Sequence, residues 1–175
     1  MILADDYLLD TSLLSRLIDD THVDHESVKA WESSLSVASR KIISVVAIAE
    51  LRFGLELAKA ANRRTVLSRL ENIIRLAEQH TPLEVTRATA YEYARLKSAV
   101  AKKYMPKRLS HRASAGWGNP EAWIDEFTGR CLGTQENDLW QCAQAVERDL
   151  ILASCDDGAK AIADACGGAL KLVEV

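Results

Sequence analysis

Short apolar runs alternate with helical stripes along this chain, and that alternation constrains its fold more than any other feature. The runs cover residues 7–9, 41–45, 150–154 and 170–173, with a weaker one at 81–85. Between them, Ile48, Leu51, Leu55 and Ala58 recur at helical spacing, as do Leu67, Leu70, Ile74 and Ala77. Leu139, Cys142, Ala143 and Val146 make a third stripe. Strands that are apolar throughout, interleaved with amphipathic helices, predict a mostly parallel sheet covered on both faces. Helical sequence outweighs strand sequence, so the sheet is small. The expected architecture is a three-layer α/β/α sandwich with four or five strands, in a single domain over residues 1–175.

Composition narrows the class. Charged residues make up 27% of the chain and hydrophobic ones 48%, which excludes wholesale disorder. At 175 residues a domain builds its own core without disulfides or metals to hold it. No apolar run approaches the roughly 18 residues of a membrane span, and the acidic start, with Asp5 and Asp6, lacks the basic region of an export signal. Cys131, Cys142, Cys155 and Cys166 show no CxxC pairing and read as reduced, small buried hydrophobes in a cytoplasmic protein. Pro106, Pro120, Gly116, Gly118, Gly129 and Gly133 crowd one stretch, which predicts an irregular insertion at about 104–134. Taken at face value, 25 acids against 22 bases argue against a nucleic-acid partner.

The placement of the acids changes that inference. Ligands of open parallel sheets bind beyond the carboxyl ends of the strands. The first strand ends in Asp10-Thr11-Ser12, and the run at 150–154 leads into Cys155-Asp156-Asp157. Glu50 falls in the first turn of a helix starting near Ala47, among apolar neighbours, and Asp138 opens the helix before the run at 150–154. Each has an ordinary explanation. Asp10 and Asp138 suit helix N-caps, Glu50 suits a first-turn acid favoured by the helix dipole, and Asp156 and Asp157 suit a turn before Gly158. Together, however, the topology brings at least four carboxylates to one edge. Two unit charges about 4 Å apart repel by roughly 4 kcal/mol at an effective dielectric of about 20. Such a cluster calls for cations or shared protons, and oxygen ligands without paired His or Cys favour Mg²⁺ or Mn²⁺ over zinc.

Four segments carry a resemblance. Leu8-Leu9-Asp10-Thr11-Ser12, Ser44 through Leu51, Glu136-Asn137-Asp138-Leu139-Trp140 and Leu152-Ala153-Ser154-Cys155-Asp156 are similar to the four motifs of PIN-domain ribonucleases, and most closely to the VapC-type toxins of bacterial toxin–antitoxin systems. The likeness runs from about residue 7 to 173. It implies metal-dependent endoribonuclease activity, with Asp10, Glu50, Asp138 and Asp156 as the catalytic, Mg²⁺- or Mn²⁺-binding acids. It leaves open whether Asp157 replaces or supplements Asp156. Thr11, Ser12 and Ser154 would orient the carboxylates or a water. The resemblance further implies an RNA substrate, a homodimer and a cognate antitoxin protein. The fourth motif departs from the family, reading Ser-Cys-Asp-Asp-Gly, and the 104–134 segment is longer than the usual connection.

Seven bases without an intervening acid, Arg95, Lys97, Lys102, Lys103, Lys107, Arg108 and Arg112, form either a solvated helix end or an RNA-backbone surface. Lys102, Lys103, Lys107, Arg108 and Arg112 are the candidate RNA-binding residues. Trp117 and Trp123 serve as base-stacking groups or, preferentially, as anchors of the insertion. His22 and His25 have no carboxylate or Cys pattern that completes a zinc site. Three competing readings stand beside the toxin: a PIN-fold RNA-processing nuclease without an antitoxin, a Mg²⁺-binding signalling domain, and an inactive partner-binding fold. A phosphoreceiver fits poorly, because Asp10 is followed by Thr-Ser and not by an acid.

Overall fold

The computed structural model describes residues 5–79, 82–110 and 117–175. Four strands, β1 (Tyr7–Leu9), β2 (Lys41–Ile43), β3 (Ile151–Ser154) and β4 (Lys171–Glu174), form one sheet in the order β2-β1-β3-β4. Every pair is parallel. Helices α1 (Thr11–Ile18) and α2 (His25–Ser34) follow β1, and α3 (Val45–Ala60), α4 (Arg64–Ala77), α5 (Arg87–Tyr104) and α6 (Pro106–Ser110) follow β2. Helix α7 (Glu136–Glu147) leads into β3, and α8 (Asp157–Ala165) joins β3 to β4.

Strand alternation divides the apolar residues between the two faces of the sheet. Leu8 stands opposite Ile42 and Leu152. Leu8 and Leu152 pack with Leu96 and Val100 of α5, Leu139 and Cys142 of α7, and Ile162 of α8. One residue along, Leu9 stands opposite Ile43 and Ala153. That face is covered by Leu13 and Leu14 of α1, Val28 of α2, Ala47, Ile48 and Leu51 of α3, and Ile73 and Ile74 of α4. The result is the expected helix-rich α/β/α sandwich on a small parallel sheet.

The strand count is at the lower expectation, for a local reason. Of the weak run at 81–85, Thr81 lies outside the described residues. Leu83 makes an isolated parallel bridge to Ser44, with its N–H on Ile43 O at 2.7 Å and its carbonyl accepting from Val45 N at 3.0 Å. Thr86 then caps α5, so pairing stops there. The run at 41–45 is likewise cut short, because the Ser44 hydroxyl accepts from Val46 N at 2.9 Å and starts α3. Val45 and Val46 have strand-like side chains, but the cap draws them into the first helical turn.

The 104–134 segment contains α6, a 3₁₀ turn at Pro120–Ala122 and an antiparallel bridge between Ile124 and Cys131. Gly116 and Arg112 lie outside the described residues. Trp123 anchors the segment: it is 1% exposed, donates its indole N–H to Trp117 O at 2.9 Å, and meets the Trp117 ring edge-on. The Glu126 carboxylate accepts from Lys107 N and Arg108 N, which start α6. All four cysteines are free, but only Cys142 is fully buried. Cys131 corrects the expectation of a buried hydrophobe, since its bridge position leaves it exposed, with Sγ near Glu121 O. His25 Nδ1 lies 2.9 Å from Arg16 O, and His22 Nδ1 accepts from Asp24 N. No helix among the described residues is long and apolar enough to cross a membrane.

Candidate active site

The order β2-β1-β3-β4 places the topological switch point between β1 and β3, because the chain turns one way after β1 and the other after β3. Asp10 follows β1 and Asp156 follows β3, so the two acids flank that crevice. Glu50 enters from α3 and Asp138 from α7. All four line one pocket of about 220 Å³, together with Thr11, Ser12, Ser15, Gln135 and Gln141. A larger pocket of about 330 Å³ on the α1/α2/α4 face has Glu32 as its one acid, and Lys41 and Lys29 neutralise it.

Each carboxylate is fixed by local backbone and hydroxyl donors. Asp10, 7% exposed, is the N-cap of α1. Its Oδ1 accepts from Leu13 N at 2.8 Å and from the Ser12 hydroxyl at 2.7 Å, and its Oδ2 accepts from the buried Ser154 hydroxyl. Ser154 also accepts from Asp156 N at 3.0 Å, which ties the ends of β1 and β3 together. Asp156 caps α8 by accepting from Gly158 N at 2.9 Å. Thr11 donates to Glu50 Oε2. Because α3 begins at Val45, Glu50 sits in its second turn and not in the first turn expected from sequence.

Asp138 is the third residue of α7, inside a reciprocal capping box with Gln135, whose N–H donates to Asp138 Oδ2 at 2.7 Å. Burial pushes its carboxyl up to about 7, and the negative charges of Asp156, Asp10 and Glu50 push the same way against the Gln135 N–H. So of the ordinary explanations, the N-cap holds for Asp10; Asp138 is not the N-cap of α7 but its capping-box acid, and Asp156 is a helix cap in place of a simple turn residue. The same geometry aims them at one pocket.

Asp157 is the first residue of α8, exposed, and does not line that pocket. Of the basic candidates, Lys102 is exposed, Lys103 donates to Asp164 O at 2.7 Å, and Arg108 lies over the Trp117 ring. Arg112 lies outside the described residues.

A sequence profile of the PIN domain matches residues 7–165. The chain belongs to the PIN domain family. That family is one of nucleases. Among solved structures, this PIN domain resembles VapBC-5 of Mycobacterium tuberculosis, a member of the VapBC family of toxin-antitoxin systems, at 21% identity and a TM-score of 0.62, covering 97% of this chain and 98% of that one. FitAcB of Neisseria gonorrhoeae is similar at 24% identity and 0.58, over 96% of each chain. VapBC-1 of nontypeable Haemophilus influenzae is similar at 17% identity and 0.56, over 97% of each. These likenesses establish the fold. A search of curated proteins gives no significant match.

The donor set of this PIN domain suits a hard divalent cation. Among the described residues no three ligating groups already stand as a closed chelate. Oxygen atoms remain for one, however: Glu50 Oε1, Asp138 Oδ1 and Asp156 Oδ2 take no hydrogen bond from the described residues, while the partner oxygen of each is held by the protein. Oxygen-only donors match Mg²⁺ or Mn²⁺ better than zinc.

Two residues beside the acids carry no motif signal. Gly158, which in the sequence marks only a turn, packs so closely that a Cβ there would lie 2.5 Å from Asp138 Oδ2 and 2.7 Å from Gly133 O. Gln141, one helical turn beyond Asp138, is 2% exposed and lines the pocket. A polar residue on the buried stripe of α7 is the one sequence signal that marks it.

Proposed function

We propose that this PIN domain is a Mg²⁺- or Mn²⁺-dependent endoribonuclease and the toxin of a bacterial toxin–antitoxin pair. The observation that carries the reading is the meeting of Asp10, Glu50, Asp138 and Asp156 at the switch point of a parallel sheet. When bound, the cation makes hydroxide available from water near neutral pH and offsets charge on the leaving oxygen of a phosphodiester. Asp10, Glu50, Asp138 and Asp156 hold it, with Asp156 as the fourth ligand and Asp157 outside the set. Ser12, Ser154 and Thr11 keep the carboxylates from turning away. Asp138, whose burial raises its affinity for a proton, would have to be deprotonated to hold the cation.

RNA is the substrate in this reading, and Lys102, Lys103, Lys107, Arg108 and Arg112 contact its backbone. The protein works as a cytoplasmic homodimer that a cognate antitoxin holds inactive. Support for the partner comes from the structural neighbours VapBC-5 and VapBC-1, described as toxin-antitoxin proteins or by the same VapBC name. The test is cleavage of purified RNA with and without Mg²⁺ or Mn²⁺, using Asp10→Ala as control. Metal-dependent cleavage that disappears in the variant is the expected result; equal cleavage by both proteins overturns the assignment. Co-purification with the product of an adjacent short reading frame, and loss of cleavage in that complex, tests the toxin role.

A further inference from the structure

Gln141 stands out among the groups lining the pocket. It is 2% exposed on α7, yet it is not an apolar core residue like its neighbours Leu139 and Cys142. Its Nε2 lies 3.2 Å from Glu50 Oε2 and 3.3 Å from Thr11 Oγ1. The amide orientation follows from chemistry: a carboxylate oxygen needs a donor, so the NH₂ end faces Glu50. Its carbonyl oxygen, Oε1, is then the one buried side-chain polar atom among the described residues without a hydrogen-bond partner. Leaving a buried acceptor unpaired costs about 1–3 kcal/mol. A methionine or leucine on this stripe of α7 would avoid that cost.

We propose that Gln141 is a positioning residue for the metal site, acting through Glu50. The proposal rests on the reading of the four acids as a divalent-cation site. Glu50 comes from α3, the only one of the four acids not fixed by a cap or a capping box at a strand or helix end. It sits in the second turn, where its side chain has rotamer freedom that the other three lack. Thr11 from α1 and Gln141 from α7 both bind Oε2, so donors on two different helices fix the carboxylate from two sides. That clamp leaves Oε1 of Glu50 for a cation and stops the carboxylate from rotating into an alternative hydrogen bond. Gln141 lines the same pocket, and it holds Glu50 there although its own carbonyl oxygen is buried without a partner. The amide thus acts on the site through its donor, by holding the ligand-bearing side chain.

The test measures Mn²⁺ affinity by titration calorimetry on the full chain, so it does not depend on cleavage. Gln141→Met preserves length and removes both hydrogen-bonding ends. Loss of an outer partner of a metal ligand weakens binding by about 10–100-fold, and that is the expected rise in the Mn²⁺ dissociation constant. The melting temperature of the metal-free variant stays within about 3 °C of the parent, because the variant also removes an unpaired buried acceptor. Gln141→Leu, measured alongside, carries the same expectation, so a folding defect in one leaves the other to decide. In a Glu50→Gln background, Gln141→Met costs little further affinity, because the two act through one carboxylate. An unchanged Mn²⁺ affinity with a lowered melting temperature overturns the proposal and makes Gln141 a packing residue. Equal reductions with and without the Glu50 change overturn the route through Glu50. If the parent and Asp10→Asn bind Mn²⁺ alike, the reading of the acids fails, and this inference falls with it.

Discussion

The acidic edge of the sheet and the basic stretch that begins in α5 use charge in opposite ways. The acids are far apart in sequence and converge on one pocket, Asp10, Asp138 and Asp156 aimed there by a strand end or a helix start and Glu50 from the second turn of α3. The bases are close together in sequence and disperse. Arg95 pairs with Glu92 on its own helix, and Lys97 pairs with Glu136 while lying over the rings of Tyr93 and Trp123. Lys103 caps a carbonyl of α8, and Arg108 covers Trp117. The reason is geometric. Parallel strands all end at the same edge, so residues after them must meet, whereas a helix turns successive side chains by about 100° and spreads a charge run around its circumference. A run of like charge in sequence is therefore weaker evidence for a site than single charges at corresponding strand ends.

The largest effect is expected at the acids. Asp10→Ala or Asp138→Ala removes a proposed ligand and should cost more cleavage than the ~10–100-fold typical of losing an outer partner. Circular dichroism should show an intact fold, since the sheet and both cores lie beneath the edge. Full activity in either variant would falsify the contrast between the two regions, because the acids would then be no more functional than the bases.

Gly158→Ala tests the same edge without touching a charge. Its new methyl meets Asp138 Oδ2 at 2.5 Å and Gly133 O at 2.7 Å. Neither can yield easily, one being held in the capping box and the other being backbone. Overpacking of this kind costs about 1–3 kcal/mol, read as a lower denaturant midpoint, and the displaced Asp138 should weaken Mn²⁺ binding as well. Normal Mn²⁺ affinity in a destabilised variant would show that the close approach matters for packing alone.

The acids and Gly158 differ in how far the sequence reveals them. The parallel sheet, its two covered faces and the residues Asp10, Glu50, Asp138 and Asp156 were legible, because strand ends and helix starts have sequence signatures that survive folding. Glu50's exact turn was not, since the Ser44 cap competes with the strand propensity of Val45 and Val46 and wins. Gly158 and Gln141 were not legible either. Their importance lies in neighbours across the fold, Asp138 and Gly133 in one case and Glu50 and Thr11 in the other. The 104–134 segment was legible as irregular from its Gly and Pro content. Its anchoring by Trp123 holds as expected; the partners that receive the ring, on α5 and α7, lie elsewhere in the chain and were not legible.

The acid cluster should also leave a mark on stability without any metal. Asp138 holds its proton up to about pH 7 in the folded chain but only to its ordinary value near 3.8 when unfolded. Between those values the folded state binds more protons, so stability falls as pH rises from about 4 toward 7 and then levels. Asp138→Asn should flatten that slope. Asp156→Asn keeps the oxygen that accepts from Gly158 N and removes a neighbouring charge, so it should raise the melting temperature at pH 8 by a few degrees, about 2–4 °C per kcal/mol regained. A melting temperature that climbs between pH 5 and 7 in metal-free buffer contradicts the raised carboxyl of Asp138, which burial causes first, and a lower one for Asp156→Asn contradicts the repulsion.

The smallest expected effect belongs to the bases, and it sharpens the contrast. Neutralising Lys102, Lys103, Lys107 and Arg108 together should weaken RNA binding and flatten its salt dependence, by about 0.7 in log–log slope for each single-strand phosphate that is no longer neutralised. Lys103 and Arg108 already have protein partners, so their side chains are partly committed and the change should fall short of four full phosphates. Turnover at saturating RNA should stay near the parent value, because none of the four lines the acidic pocket. A drop in turnover without a change in salt slope would mean that these residues support the fold around Trp117 and Trp123. An unchanged slope and unchanged turnover would reduce them to a solvated helix end, leaving the acidic edge to bind RNA through its metal ions and whatever backbone amides face the pocket.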